Sequence, residues 1–477
     1  MTQEATQAPA VRPAASDPAV EAAVGDRGVA PGRGLLARAV AQARASEAVR
    51  AAWRAFLWSR VAIAVVAVFA ALSAGEVVKR DASKFDIPAI TAPLGGVGEI
   101  ATAPLARWDA VWYLSIANYG YESADSPRHA FFPLYPLLAR GVGELGGGGE
   151  GATLLGAYAV ALAAFLAALV LLYRLTALEL GRRAAWPALL LLCTFPASLY
   201  FGAPYAESVF LLCSVGAFYA ARTGSWAWAG VAAAGASATR SAGVLLLAPL
   251  VVLYLYGPRA DAAATVRGSS SPGTRAAPPD SWLRRVRPRF RLRADFLWLA
   301  LAPAGLVAYA AYLGFAYGDP LSFSHVQEFW NRSFAGPLVG VWDGAVAAFD
   351  GVRQLLSGAR EPVYFEAAGG DPFRVAAQNV VLFGFLCFAI AGAVGVLRRL
   401  PFAYGLYVVA ALMLPLSYPV AAQPLMSLPR FVAVLFPIFM WLGALCEERR
   451  LTDRVAVASA VVLGLFVSQF ATWQWVA

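Results

Sequence analysis

Three apolar stretches, residues 154–172, 245–256 and 296–315, are too long or too uniformly apolar for helices that keep one face in water. A bilayer core about 30 Å thick takes roughly 20 such residues per helical span. The rest of the composition agrees. Of 477 residues, 60% are hydrophobic and 14% are charged, whereas a soluble domain carries about 25% charged residues. An ordinary soluble enzyme is excluded, and the expected fold is an all-α polytopic membrane protein.

Apolar runs predict spans near 56–74, 152–173, 184–201, 206–221, 225–239, 241–256, 295–316, 375–396, 402–420, 431–446 and 454–473. Residues 131–145 are apolar too, but their prolines and glycine-rich exit suit a helix lying on the membrane surface. Charge supports eleven spans with the N-terminus in the cytoplasm. Arg174, Arg182, Arg183, Arg222, Arg398, Arg399, Arg449 and Arg450 then fall inside, as the positive-inside rule requires. The loop 257–293, with nine Arg against two Asp, is inside as well. Two long outer segments are acidic on balance: 76–130 with seven acids against five bases, and 317–374 with seven against four. Residues 1–54 read as a disordered cytoplasmic tail. Residues 55–477 read as one transmembrane domain whose first outer loop covers 76–151.

The net charge of +9 therefore reflects topology rather than nucleic-acid binding. Only Lys79 and Lys84 are lysines, which with abundant Ala and Gly points to a GC-rich bacterial source. The four cysteines have no CxxC partner, and two histidines are too few for a His-rich metal centre.

Four motifs converge on the outer side. In the first, Arg107-Trp108-Asp109 leads into Trp112 and Tyr113, which share a helix face with Asp109. A carboxylate among these rings is a general base with a pKa raised by apolar surroundings, or else a partner for Arg107 or a helix cap. The second motif, His129-Ala130-Phe131-Phe132-Pro133 with Pro136, offers His129 to a phosphate or a sugar hydroxyl, or simply to solvent. In the third, Pro196-Ala197-Ser198 precedes Tyr205-Ala206-Glu207-Ser208. There Glu207 is either a charge stabilised by a helix N-terminus or part of an outward-facing polar site. The fourth places Arg240 and Arg430 at the outer ends of spans, where each calls for an anion: a carboxylate of the chain, or a phosphate gripped bidentately.

At these residues the chain resembles the PIG-V-like family, the second mannosyltransferases of glycosylphosphatidylinositol synthesis, and its bacterial relatives. The pattern is Trp108-Asp109-Ala110, Ile116-Ala117, Gly120-Tyr121, Ala130 to Pro133 with Pro136, Pro196-Ala197-Ser198, Tyr205 to Ser208, Arg240-Ser241-Ala242-Gly243 and Pro429-Arg430. One departure is Trp112, where many members carry His. The resemblance implies a GT-C-like bundle and transfer of mannose, with inversion, from a polyprenyl-phosphate-mannose donor. The acceptor would be a hydroxyl of a glycolipid, glycan or protein on the extracytoplasmic side of a bacterial plasma membrane. It implies Asp109 as general base, Arg240 and Arg430 at the donor phosphate, and Arg107, Trp108, Trp112, Tyr113, His129, Tyr205 and Glu207 about the substrates. Position 111 is Val and position 107 is Arg, so there is no Asp-x-Asp pair and no tightly bound metal or other cofactor is expected. The alternative is a transporter or lipid flippase. That reading asks for charges or broken helices at the bilayer midplane, and the charged candidates here lie at the ends of spans.

Overall fold

A computed structural model describes residues 46–74, 86–124, 126–262, 288–359 and 371–476. The expected tail lies outside these up to residue 45, as does most of the basic loop 257–293. Among the described residues there is no β-strand.

The helices are α1 (Glu47–Ala74), α2 (Pro88–Thr91), α3 (Gly96–Thr102), α4 (Ala110–Tyr119), α5 (Leu134–Leu145), α6 (Gly149–Leu180), α7 (Arg182–Thr194), α8 (Glu207–Thr223) and α9 (Trp226–Thr239). They continue with α10 (Leu247–Tyr256), α11 (Ala304–Tyr317), α12 (Ser322–His325), α13 (Pro337–Ser357), α14 (Pro372–Arg399), α15 (Phe402–Leu416), α16 (Leu428–Ala433), α17 (Phe436–Glu448) and α18 (Thr452–Ala471). All eleven apolar segments are helical. By length and composition α1, α6, α14 and α18 each cross a membrane alone. A fifth candidate joins the 3₁₀ helix Ala294–Leu301 to α11 with a 44° bend, at a break that contains Pro303. The chain is a multi-pass membrane protein.

Helix α5 confirms a short element over 131–145. Its 12 residues make about 18 Å, well short of a bilayer core. Tyr135, Pro136, Ala139 and Gly143 are buried, while Leu137, Leu138 and Leu145 are exposed. Small residues bring α5 onto α6. A Cβ on Gly156 would stand 2.4 Å from the Ala139 carbonyl oxygen, and one on Gly143 would stand 2.8 Å from Thr153 Cα. Only glycine permits that approach.

One sequence reading needs correction. The segment 317–374 is not simply a loop, since α13 fills 21 of its residues. Leu338, Trp342, Val346, Phe349 and Leu356 recur at helical spacing and stay exposed, while Gly340, Gly344, Ala347, Ala348 and Gly351 face the bundle. Three charges, Asp343, Asp350 and Arg353, masked this periodicity in a reading guided by long apolar runs.

Ion pairs fasten the two ends of the bundle. At the Thr223 end of α8, Arg222 pairs with Glu179, which also accepts from Tyr404 Oη at 2.8 Å. Nearby Arg259 pairs with Asp261, which also accepts from Trp226 Nε1 at 3.3 Å. Within α1, buried Arg60 donates to the Ser198 carbonyl at 2.8 Å and to Ser198 Oγ at 2.7 Å. The Pro196-Ala197-Ser198 motif thus satisfies a charge inside a span, where an unpaired one would be costly. Pro196 also ends α7 by forcing Phe195 into an extended conformation (ψ 139°).

Candidate active site

At the Glu207 end of α8, four charged side chains from four distant segments form one chain of contacts. Arg430, in the first turns of α16, donates through Nε to Glu207 and through Nη1 to Asp109. Arg240, just past α9, donates through Nη1 to the same Glu207 oxygen at 3.1 Å. The Arg430 guanidinium lies over the rings of Tyr205 and Tyr200, at 4.9 and 5.4 Å. Arg240 lies 4.9 Å from the Phe431 ring centre.

The two carboxylates differ in access. The Glu207 side chain is 1% exposed and that of Asp109 is 21%. Glu207 begins α8, so the helix N-terminus adds to the two guanidiniums in holding its charge. Asp109 precedes α4 but caps nothing with its side chain. Nor is its partner Arg107, and the setting is not purely apolar. A guanidinium faces it instead of hydrocarbon, because Arg430 reaches it from α16.

Backbone strain fixes this geometry. Trp108, Ser427 and Asn331 have φ of +59°, +69° and +54°, in the left-handed region. Each adjoins a site residue: Trp108 precedes Asp109, Ser427 opens the turn to Arg430, and Asn331 precedes Arg332. Such conformations cost about 1–3 kcal/mol each and persist only where packing enforces them. Trp108 is wedged against Trp475 and Trp473, with centroids at 5.1 and 5.7 Å. Tyr205 Oη accepts from the Asp109 N–H at 3.0 Å and donates to the Arg107 carbonyl at 2.9 Å, clamping the turn.

Asp109, Arg240 and Arg430 open onto a cavity of about 700 Å³. Trp108, Trp112 and Tyr113 also line it, as do Phe131, Phe329, Trp330, Arg332 and Trp475. Trp112 stacks on Phe131 at 6.0 Å and meets Phe329 and Trp330 edge-on at 6.3 Å each. The indole N–H groups of Trp108 and Trp475 are buried without a hydrogen-bond partner. On its other side, α15, α16 and the turn after α16 contribute Ala411, Leu414, Phe431, Val434 and Leu435, a lipid-like surface. An apolar cavity with a few convergent polar groups is the usual form of a ligand site.

Of the sequence-selected residues, Asp109, Trp108, Trp112, Tyr113, Arg240 and Arg430 line the cavity. Glu207 and Tyr205 lie one layer behind, holding the arginines and the Asp109 turn. Two stand apart. Arg107 lies over Trp473 at 4.6 Å, and burial pushes its guanidinium down to about 10 despite nearby Asp86. His129 is neither solvated nor on the cavity wall. It is wholly buried, its Nδ1 lies 2.6 Å from Ser322 Oγ, and its carbonyl accepts from Tyr309 Oη at 2.9 Å. Its work there is to hold the turn Pro127–Ala130 against α11 and α12. The sequence reading missed Trp330, Arg332, Trp473 and Trp475. The one signal of the three tryptophans was aromatic enrichment beside the spans, which membrane anchoring explains equally well. Among the described residues no group of three or more His, Cys, Asp or Glu is placed to hold a metal ion.

Fold and site together define a helical membrane protein with an Arg–carboxylate centre over an amphipathic cavity. Residues 77–255 match the family model described as Mannosyltransferase (PIG-V). The motifs from Trp108 to Gly243 lie inside that stretch, and Arg430 lies beyond it. GPI mannosyltransferase 2 of Drosophila melanogaster is 32% identical over 168 residues, covering 32% of this chain and 36% of that protein. The protein of the same name from Drosophila pseudoobscura pseudoobscura is 33% identical over 119 residues, covering 23% and 25%. The chain thus spans about a quarter to a third of the curated relatives it matches. Among solved structures, it is 14% identical to the archaeal oligosaccharyltransferase AglB of Archaeoglobus fulgidus, in complex with an inhibitory peptide and a dolichol-phosphate. That match has a TM-score of 0.38 and covers 88% of this chain and 56% of the other. The apo form gives 0.39 at 13% identity, with the same coverage.

Proposed function

We propose that this protein is a membrane mannosyltransferase that moves mannose from a polyprenyl-phosphate-mannose donor to an acceptor hydroxyl, with Asp109 as general base. The supporting observation is that Asp109, alone of the two site carboxylates, is accessible from the cavity. The matched mannosyltransferase family supports the sugar.

In this reading the apolar wall of α15 and α16 takes the first prenyl units, and the aromatic group of Trp112, Phe131, Phe329 and Trp330 packs the sugar. The unpartnered indole N–H groups of Trp108 and Trp475 suit sugar hydroxyls. The acceptor oxygen attacks the anomeric carbon on the face opposite the phosphate, and its proton passes to an Asp109 carboxylate oxygen. The bond from the anomeric carbon to the phosphate oxygen breaks, and the electron pair leaves with the lipid phosphate. Configuration inverts. The phosphate changes from one negative charge to two, so guanidiniums beside it stabilise the transition state more than the ground state. Glu207 keeps Arg240 and Arg430 in place for this. The site is assigned to the extracytoplasmic side of a bacterial plasma membrane, since the arginine-rich ends of the spans then lie in the cytoplasm.

The test uses purified protein in lipid with radiolabelled polyprenyl-phosphate-mannose and an extract of host membrane lipids. Label is expected in a new product with the wild type. With Asp109→Asn the rate falls about 10²–10⁴-fold, the usual weight of general base catalysis, while melting changes little. Transfer at the wild-type rate by the folded mutant would move the base elsewhere. Passage of intact donor across the bilayer without transfer would favour a flippase.

A further inference from the structure

The cavity holds one cation more than its own carboxylates neutralise. Arg430 pairs with Asp109 and Glu207, and Arg240 pairs with Glu207. Arg332 lines the same cavity, yet its guanidinium has neither an ion pair nor a side-chain hydrogen bond among the described residues. Its guanidinium lies 6.0 Å from the Phe431 ring, the ring that Arg240 also covers. Three guanidiniums stand against two carboxylates, which leaves a surplus of one positive charge.

The backbone holds Arg332 there deliberately. Its N–H donates to the Gln327 carbonyl at 3.3 Å, and it forms an isolated bridge with Val420. The N–H groups of Ala335 and Gly336 both donate to the Ser417 carbonyl, at 2.9 and 3.3 Å. Asn331 supplies the left-handed turn that points the chain back into the cavity, and Asn tolerates that conformation better than most residues. Just before it, Trp330 and Phe329 join the aromatic wall. An Arg left half-buried without an anion is costly. Burial pushes its guanidinium down to about 10, against a smaller opposing pull from Asp109, so it stays charged at neutral pH with no carboxylate bonded to it.

We propose that Arg332 grips the phosphate of the lipid-linked donor, and that residues 329–332 form a donor-recognition segment carrying both the aromatic contact and the charge. This rests on the transferase reading above. A donor phosphodiester carries one negative charge, which the surplus guanidinium matches. Arg240 and Arg430, held by Glu207 and Asp109, stand beside that phosphate as its charge develops, with Arg332 as the principal anion contact. Arg332 lies outside the stretch that matches the mannosyltransferase family model.

The test measures binding of sugar-free polyprenyl phosphate to the full chain in zwitterionic nanodiscs, read by quenching of tryptophan fluorescence. Inorganic phosphate and vesicle-supplied phosphatidylglycerol serve as parallel probes. Wild type is expected to bind the polyprenyl phosphate most tightly. Arg332→Gln is expected to raise its Kd about 10–100-fold, the weight of a hydrogen-bonded charge pair. Arg332→Lys should recover part of the loss, because it restores the charge without the fork. Melting of Arg332→Gln should match the wild type or rise, since no carboxylate loses a partner. Equal binding by wild type and Arg332→Gln would overturn the Arg332 assignment and leave the transferase reading standing. Wild type that binds no polyprenyl phosphate would overturn the transferase reading itself. Inorganic phosphate or phosphatidylglycerol bound as tightly as polyprenyl phosphate would overturn the assignment to a lipid-linked donor.

Discussion

Replacing Glu207 with Gln keeps shape and removes one charge, and the structure sets what that should cost. The carboxylate is 1% exposed and serves two arginines, whose side chains are 6% and 16% exposed. Removing one partner of a buried ion pair typically costs about 3–5 kcal/mol, because the remaining charge stays buried without compensation. Here two guanidiniums lose that partner, though Arg430 retains Asp109. The expected destabilisation is therefore about 3–5 kcal/mol, well above that of Asp109→Asn, where Arg430 retains Glu207. Melting in detergent, followed by intrinsic tryptophan fluorescence, gives the comparison. A cycle with Arg240→Met separates causes: if uncompensated charge is the origin, the double mutant is more stable than the two single losses sum to. Glu207→Gln that melts with the wild type, or a strictly additive cycle, would refute the claim that Glu207 holds the two arginines.

Three further outcomes follow from the packing. Tyr205→Phe removes the hydroxyl joining the Asp109 N–H to the Arg107 carbonyl, so it should cost about 1–3 kcal/mol in melting and slow transfer by loosening Asp109. Gly156→Ala sets a Cβ against the Ala139 carbonyl oxygen; melting should reveal about 1–3 kcal/mol of overpacking, with α5 displaced from α6 and more exposed to protease. Ser198→Ala removes the acceptor of one Arg60 hydrogen bond but keeps the carbonyl acceptor. It should destabilise by about 1–3 kcal/mol, whereas Ser198→Thr, which retains a hydroxyl, should lose less.

Much of the architecture was legible in the linear pattern. Uniform apolar runs located the eleven expected helical segments, and the prolines and glycines around 131–148 distinguished a short helix from a span. Helix α13 escaped because its apolar stripe is interrupted by Asp343, Asp350 and Arg353, and its bundle-facing side is built of Gly and Ala, which contribute little hydropathy. The site was legible residue by residue, since charges at the ends of spans are conspicuous in so apolar a chain. Which of them touch was not legible. Arg430 lies 321 positions from Asp109, and nothing in either neighbourhood names the other.

The sequence by itself determined a helical membrane protein with its candidate catalytic residues gathered at one end of the spans, because lipid penalises charge within the bilayer core. Only the tertiary structure decided how that chemistry is divided. It gave Glu207 to the arginines and left Asp109 open to the cavity. It drew His129 into a packing role behind the wall and left Arg332 unpaired upon it. These outcomes depend on how α8, α16 and residues 329–332 cross in space. Side chains with the same charge take different roles according to their neighbours and the water they retain, and the fold sets both.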